Sequence, residues 1–303
     1  MSGPIWRTSR FAIDLARPRV MGIVNVTPDS FSEGGARLST AQAIARCEQM
    51  LADGADILDI GGESSRPGAL PVSADEELAR IRPVLEAAVG LGCPVSVDTT
   101  KAEVMRAALD LGADIVNDIG ALRERDALAA VAGHPRCGAC LMHMRGTPQS
   151  MQAEAVYDDV MTEISAFLGE RIDAVQAAGI ARERIVVDPG IGFGKTPAHN
   201  LEILARQQAL LALGVPLLVG WSRKSTLARL AGLRAKAPAG RSPAEQARLE
   251  TASVVAAVVA VQRGARIVRV HDVAATVAGL AVWQAAQRAD NRADPSSDRA
   301  STP

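Results

Sequence analysis

Val20-Met21-Gly22-Ile23-Val24 runs directly into Asn25-Val26-Thr27-Pro28-Asp29-Ser30-Phe31. The first stretch is too short for a buried helix and reads as a strand; the second is a polar loop that leaves its C-terminal end. The arrangement recurs. Asp56-Ile57-Leu58-Asp59-Ile60 leads into Gly61-Gly62-Glu63-Ser64-Ser65-Arg66-Pro67-Gly68, Pro94-Val95-Ser96-Val97 into Asp98-Thr99-Thr100-Lys101, and Asp114-Ile115-Val116 into Asn117-Asp118. Ile185-Val186-Val187 leads into Asp188-Pro189-Gly190. Polar residues gathered at one end of parallel strands make the active site of an α/β sheet, open or closed.

Working outward, strand-like runs also occur at 137–142, 215–219 and 266–270, which brings the central set to eight. Phe11-Ala12-Ile13-Asp14-Leu15, the turn Ala16-Arg17-Pro18-Arg19 and the run from Val20 predict an N-terminal β-hairpin feeding the first central strand. Helical patterns fill the intervals at 40–53, 74–89, 101–111, 157–178, 200–213, 244–263 and 273–288. Ser39 is the expected cap of the first, and Ser73-x-x-Glu76 predicts a capping box on the second. Gly54, Gly112 and Gly264 each stand between a helix and the next strand, where a left-handed residue fits. Alternation on this scale favours a (β/α)8 TIM barrel, α/β in class, over a doubly wound sheet. We expect one domain over 11–288, a mobile Pro/Gly/Lys-rich loop at 235–243 and a disordered polar tail at 289–303.

The chain has 303 residues, 48% hydrophobic and 22% charged, ample for a large core. Lys and Arg total 33 against 34 Asp and Glu, so no nucleic-acid footprint or membrane-surface patch is indicated. The start of the chain is too polar and broken for a signal segment, and no apolar run is long enough to span a bilayer. Cys137-Gly138-Ala139-Cys140 has metal or redox spacing but no second cysteine pair; it reads as apolar filler in a reduced, cytoplasmic protein.

Asp98 and Asp188, with Asn117 at a third strand end, suit a planar heterocycle carrying several N–H donors, since an ionised Asp accepts two parallel hydrogen bonds. Either Asp alone could serve as a helix or turn cap. Gly190-Ile191-Gly192-Phe193-Gly194-Lys195-Thr196 lacks the four-residue gap of a Walker phosphate loop, so that reading is rejected. Phe193 at its tip could stack on a ligand or simply pack. Lys224, in Trp221-Ser222-Arg223-Lys224-Ser225, could bond carbonyl or ring acceptors at the barrel mouth. Arg269 and His271 alternate onto one face of the last strand and would need an anionic partner there. With Arg66 they look like a phosphate or pyrophosphate clamp. His134 and His143 read as structural or surface residues.

These separated motifs, Asn25 to Phe31, Gly62 to Gly68, Val97 to Lys101, Asn117-Asp118, Asp188 to Lys195, Ser222 to Ser225 and Arg269 to Val273, together resemble the dihydropteroate synthase family over about 11–285. The resemblance implies a TIM-barrel transferase of folate biosynthesis, the sulfonamide target, joining dihydropterin pyrophosphate to p-aminobenzoate. It implies that Asp98, Asn117, Asp188 and Lys224 hold the pterin, with Asp98, Asp188, Lys224 and Arg66 the residues on which catalysis depends. Asn25 would bind Mg²⁺, and Asn25, Arg66, Arg269 and His271 the pyrophosphate. Phe31, Ser65, Pro67, Phe193 and Ser225 would form the p-aminobenzoate pocket. A homodimer built on late helices is also implied. Ser65 stands where many relatives have Thr, and Trp221 where a smaller side chain such as Met is expected. Two alternatives stay open, a pterin-dependent methyltransferase domain and a non-catalytic pterin-binding paralogue; neither needs the Arg66 loop, Lys224 and the Arg269/His271 pair together.

Overall fold

The structure is a computed structural model that describes residues 4–27, 39–66, 68–235 and 240–293. Two short strands, β1 (Ile5–Arg7) and β2 (Ala12–Asp14), precede eight parallel ones: β3 (Arg19–Asn25), β4 (Ile57–Gly61), β5 (Val95–Asp98), β6 (Ile115–Asp118), β7 (Gly138–Met142), β8 (Ile185–Asp188), β9 (Leu218–Val219) and β10 (Ile267–Val270). The sheet runs β8-β7-β6-β5-β4-β3-β10-β9, and a parallel bridge between Val187 and Leu217 joins its two ends into a barrel. Around it lie α1 (Thr40–Ala52), α2 (Ala74–Val89), α3 (Ala102–Asp110), α4 (Arg125–Gly133), α5 (Val160–Ala177), α6 (Pro197–Arg206), α7 (Ser225–Leu230), α8 (Pro243–Gln262) and α9 (Val273–Ala293).

Two apolar layers hold this together. The outer one packs strands against helices and contains residues such as Leu58, Val97, Val116, Leu141, Val187 and Val268. The inner one fills the barrel: Met21, Ile57, Ile115, Cys140, Val186, Leu218 and Ile267, plugged by Trp6, Ile13 and Leu15 of the N-terminal hairpin. Side chains two apart on a strand share a face. The next inward layer therefore holds Asp59, Asn117, Asp188 and Arg269, two residues beyond Ile57, Ile115, Val186 and Ile267. The apolar plug is thus the floor of a polar chamber.

The hairpin is present, but its partners differ from expectation. Ala12–Asp14 pairs backwards with Ile5–Arg7, antiparallel. Strand β3 cannot accept it, because both its edges are taken by β10 and β4. The cysteines are free and buried. Cys137 packs in the outer layer and Cys140 in the inner one, as residues three apart on an extended strand must. That geometry supports the filler reading of the C-x-x-C.

Ser39 and Gln42 form a full capping box on α1. On α2 only half of the expected box exists: Ser73 accepts from the Glu76 backbone, while the Glu76 carboxylate pairs with Arg80. The pattern at 200–213 is two elements, α6 to Arg206 and then a 3₁₀ stretch, Gln207–Leu213. Helices α4 and α7, of nine and six residues, were not anticipated, being too short to establish a period. Helix α9 continues to Ala293, past the expected tail boundary, and 294–303 lie outside the described residues. Of the expected mobile loop, 236–239 likewise lie outside them; Ser242 then caps α8 with a box to Glu245. Among the described residues no helix is long and apolar enough to cross a membrane.

Candidate active site

The polar chamber is organised by charge pairing. Arg269 reaches inward from β10; its Nε donates to Asp59 Oδ2 and its Nη2 to Asp98 Oδ2, each at 2.6 Å. Asn117 Nδ2 also donates to Asp59 Oδ2, at 3.2 Å. Asp59 is fully buried, and among the described residues its Oδ1 has no hydrogen-bond partner. The anion that Arg269 requires is therefore supplied by the protein's own carboxylates. Burial pushes the Asp98 carboxyl up, to about 7, with Arg269 pulling the other way and Asp59 adding to the rise.

Asp188 ends β8, and its Oδ1 accepts from the backbone of Gly190 at 2.7 Å. Burial raises its pKa, opposed by that bond and by Lys224. Lys224 precedes α7; its ammonium lies 4.1 Å from the centre of the Phe193 ring. Burial lowers its pKa to about 8, with Asp188 as the main opposing influence. The Arg-Lys pair is split by function. Arg223, at φ 59°, turns outward to Asp272 and Glu250, which directs Lys224 toward the mouth.

The glycines of the β8 loop have separate physical reasons. Gly190, Gly192 and Gly194 all have positive φ. A Cβ at Gly190 would lie 1.9 Å from the His143 carbonyl oxygen, and one at Gly194 2.9 Å from that of Arg145. The loop thus lies flush against the segment that follows β7. Phe193 packs with Ile119, Met142, Met144 and Met151.

His271 and Ser222 are joined: the His271 backbone N–H donates to Ser222 Oγ at 3.1 Å, and that oxygen lies 3.0 Å from His271 Nδ1. Burial, with Arg223 and Arg269 nearby, holds the imidazole well below its ordinary pKa, so it is neutral at physiological pH. Arg66 is exposed, and among the described residues its guanidinium makes no hydrogen bond or ion pair. Asn25 ends β3 in register with Gly61, at the base of the Arg66 loop, and among the described residues its side-chain amide makes no hydrogen bond. Ser65 is half-buried and Ser225 exposed. Phe31 and Pro67 lie outside the described residues, as does most of the first loop. The three expected cations thus differ in state: among the described residues Arg66 is unpaired, Arg269 is doubly paired and His271 is held toward its neutral form.

Sequence reasoning passed over three site residues. Asp59 was visible as a carboxylate in the middle of an apolar strand, a costly placement that signals a partner. Lys195 is fully buried and binds three acceptors, described below. Lys101 bridges Glu63 Oε2 at 2.8 Å and Glu77 Oε2 at 2.6 Å, tying the second loop to α2. His143 is structural, as expected: buried, driven down to about 2 by burial and Lys195, and edge-on to Phe167. His134 Nδ1 accepts from the Cys137 backbone at 3.0 Å.

A parallel barrel with carboxylates, an amide and a cation converging at the C-terminal strand ends defines a binding chamber for a planar, donor-rich ring. The family described as pterin binding enzyme matches residues 21–271. Among similar chains, the dihydropteroate synthase of Neisseria meningitidis serogroup C is 48% identical over 288 residues, covering 94% of this chain and 98% of its own. The Xanthomonas albilineans dihydropteroate synthase solved with 4-aminobenzoic acid superposes with a TM-score of 0.85 at 48% identity, covering 95% of this chain and 99% of its own. The Burkholderia cenocepacia enzyme complexed with 7,8-dihydropteroate gives 0.83 at 46%, covering 96% and 99%. The chain belongs to the dihydropteroate synthase family of transferases.

Proposed function

We propose that the chamber condenses 6-hydroxymethyl-7,8-dihydropterin pyrophosphate with p-aminobenzoate, giving 7,8-dihydropteroate and pyrophosphate. The observation that carries this reading is the polar set of Asp98, Asn117 and Asp188 at the strand ends, with Lys224 at the start of α7, above an apolar floor. Such a chamber matches a flat heterocycle edged with amide and amine donors. Asp188 and Asp98 accept from the ring; Asn117, with its Nδ2 engaged by Asp59, offers its oxygen; Lys224 donates to ring acceptors.

The reaction needs a leaving group stabilised and a nucleophile held in line. The C–O bond of the exocyclic methylene breaks, and its electron pair leaves with pyrophosphate. The p-aminobenzoate nitrogen then forms the new C–N bond and loses a proton. Arg66 supplies the free cation for the pyrophosphate. With Ser222 donating to Nδ1, His271 offers its Nε2–H as a neutral donor, and Arg269 supplies charge while fixing Asp59 and Asp98. Asn25 fits Mg²⁺ as a single hard oxygen at a strand end: that ion commonly takes one or two protein ligands and completes its shell with phosphate and water. When bound, Mg²⁺ would neutralise charge on the leaving pyrophosphate. Phe193, Ser65 and Ser225 border the p-aminobenzoate side, with Phe31 and Pro67 from the two loops. A cytoplasmic homodimer completes the reading, supported by four free, buried cysteines and by apolar residues exposed on α8 and α9.

Pyrophosphate release measured with each substrate alone and with both together tests this. Release only with both is expected. Release without p-aminobenzoate at the same rate, or none with both, would refute a synthase.

A further inference from the structure

Lys195 is 2% exposed, and its Nζ bonds to His143 Nδ1 at 2.9 Å, the His143 carbonyl at 3.2 Å and the Phe193 carbonyl at 2.9 Å; among the described residues no carboxylate lies within ion-pair distance, and Asp188 acts on it only from further away. A buried amine with no carboxylate bonded to it is costly, and a methionine would fill the same space without that cost. The placement therefore asks for a function. The loop it holds has little cohesion of its own. Three of its residues are positive-φ glycines, and its one internal backbone bond runs from Phe193 N to Gly190 O. It is suspended instead from side chains: Asn200 at Gly192 N, Gln152 at Gly192 O and Tyr157 at Gly194 O. Lys195 is the attachment at Phe193 itself, and it ties that carbonyl to the end of β7. On the other side of Phe193, the ring faces the Lys224 ammonium.

We propose that Lys195 is a positioning residue: it staples the β8 loop to the β7 loop and so sets the Phe193 ring between Lys224 and the arylamine site. It makes no contact with substrate in this role. The inference rests on the synthase reading given above and extends it to a residue behind the chamber wall. With the staple lost, the Phe193 carbonyl has no buried partner and the ring is no longer fixed. The arylamine then binds to a poorly formed wall, whereas the chemistry at saturation, governed by the pterin and its pyrophosphate, proceeds.

The test is a double-mutant cycle of Lys195→Met and Phe193→Ala, with thermal unfolding recorded for each variant. Lys195→Met is expected to raise the p-aminobenzoate KM on the order of tenfold while kcat changes less than about threefold. In the Phe193→Ala background the same substitution should add almost nothing, because the ring it positions is gone. Lys195→Gln, which keeps two N–H donors, should recover part of the loss; if Lys195→Met does not fold, the cycle is run with Lys195→Gln. Additive effects on KM, or equal losses in kcat/KM for both substrates, would overturn the proposal. Should the wild-type protein release no pyrophosphate, the synthase reading falls separately. Hydrogen exchange of the 190–194 amides then still decides the staple: faster exchange in Lys195→Met supports it, and unchanged exchange removes it.

Discussion

Arg269 Nη2 donates to Asp98 Oδ2 at 2.6 Å, linking β10 to β5 across the chamber while its Nε holds Asp59. One guanidinium thus bridges two carboxylates and fixes the acceptor that is to meet the pterin. Removing it would leave Asp59 buried with Asn117 alone. Breaking such a buried pair costs about 3–5 kcal/mol.

Arg269→Ala should therefore lower stability by roughly 3 kcal/mol and weaken binding of any pterin. The loss should be greater for pterin pyrophosphate than for a phosphate-free pterin, since charge at the leaving group is lost too. Denaturant unfolding and calorimetry with both ligands check this. Equal losses for the two would mean that Arg269 serves its carboxylates alone.

Asp188→Ala should keep the fold and lose most pterin affinity, a change on the order of 2–4 kcal/mol for charge-assisted bonds. Among the described residues that carboxylate accepts one hydrogen bond within the protein, from Gly190 N, so packing changes little. Calorimetry on a folded variant that still bound pterin at wild-type strength would remove Asp188 from the site.

Lys224, with its pKa near 8, gives a pH signature. Pterin binding that needs its ammonium should be strongest below pH 8 and fall about tenfold per unit above it. Linked stability runs the opposite way. Between about 8 and the ordinary lysine value of 10.5 the unfolded chain holds the proton and the folded chain does not, so folding gains as pH rises through that window. Affinity titrations from pH 6 to 9.5 with wild type and Lys224→Met test this; the same inflection in both would assign it to another group.

The second loop leans on the segment after β7 through Gly68 N to the Pro148 carbonyl, 3.2 Å, and Gln149 Nε2 to the Ala69 carbonyl, 3.2 Å. Two long bonds are easily exchanged for an anion at Arg66. Pterin pyrophosphate should bind first and draw this loop over the p-aminobenzoate side. Titration of p-aminobenzoate with and without pterin ligand, pyrophosphate and Mg²⁺ reads the order; equally tight binding to the empty protein would show a preformed pocket.

Val255 on α8 is 57% exposed and Val282 on α9 is 73% exposed. Burying them between two copies would gain apolar contact. Light scattering at micromolar concentration is expected to give twice the chain mass, and Val282→Glu to give one chain mass. A monomeric wild type would assign these residues to open surface.

Fold class was legible in the sequence because it depends on local, repeated features: apolar runs of strand length, glycines after helices and polar residues at the same end of each strand. The placement of Asp98, Asn117 and Asp188 near strand ends was legible for the same reason, since alternation fixes which face a strand residue takes. Tertiary structure decided what no single strand contains. Arg269 and Asp59 are 210 positions apart, and only barrel closure brings them to 2.6 Å. That contact turns an expected free cation into a carboxylate partner. Lys195 and His143 meet because Gly190 lets one loop lie flush on another. Pairing of Ala12–Asp14 followed from which strand edges remained open once the barrel closed. Periodicity along a chain specifies which face a side chain takes; the partner across that face is set by the packing of distant elements.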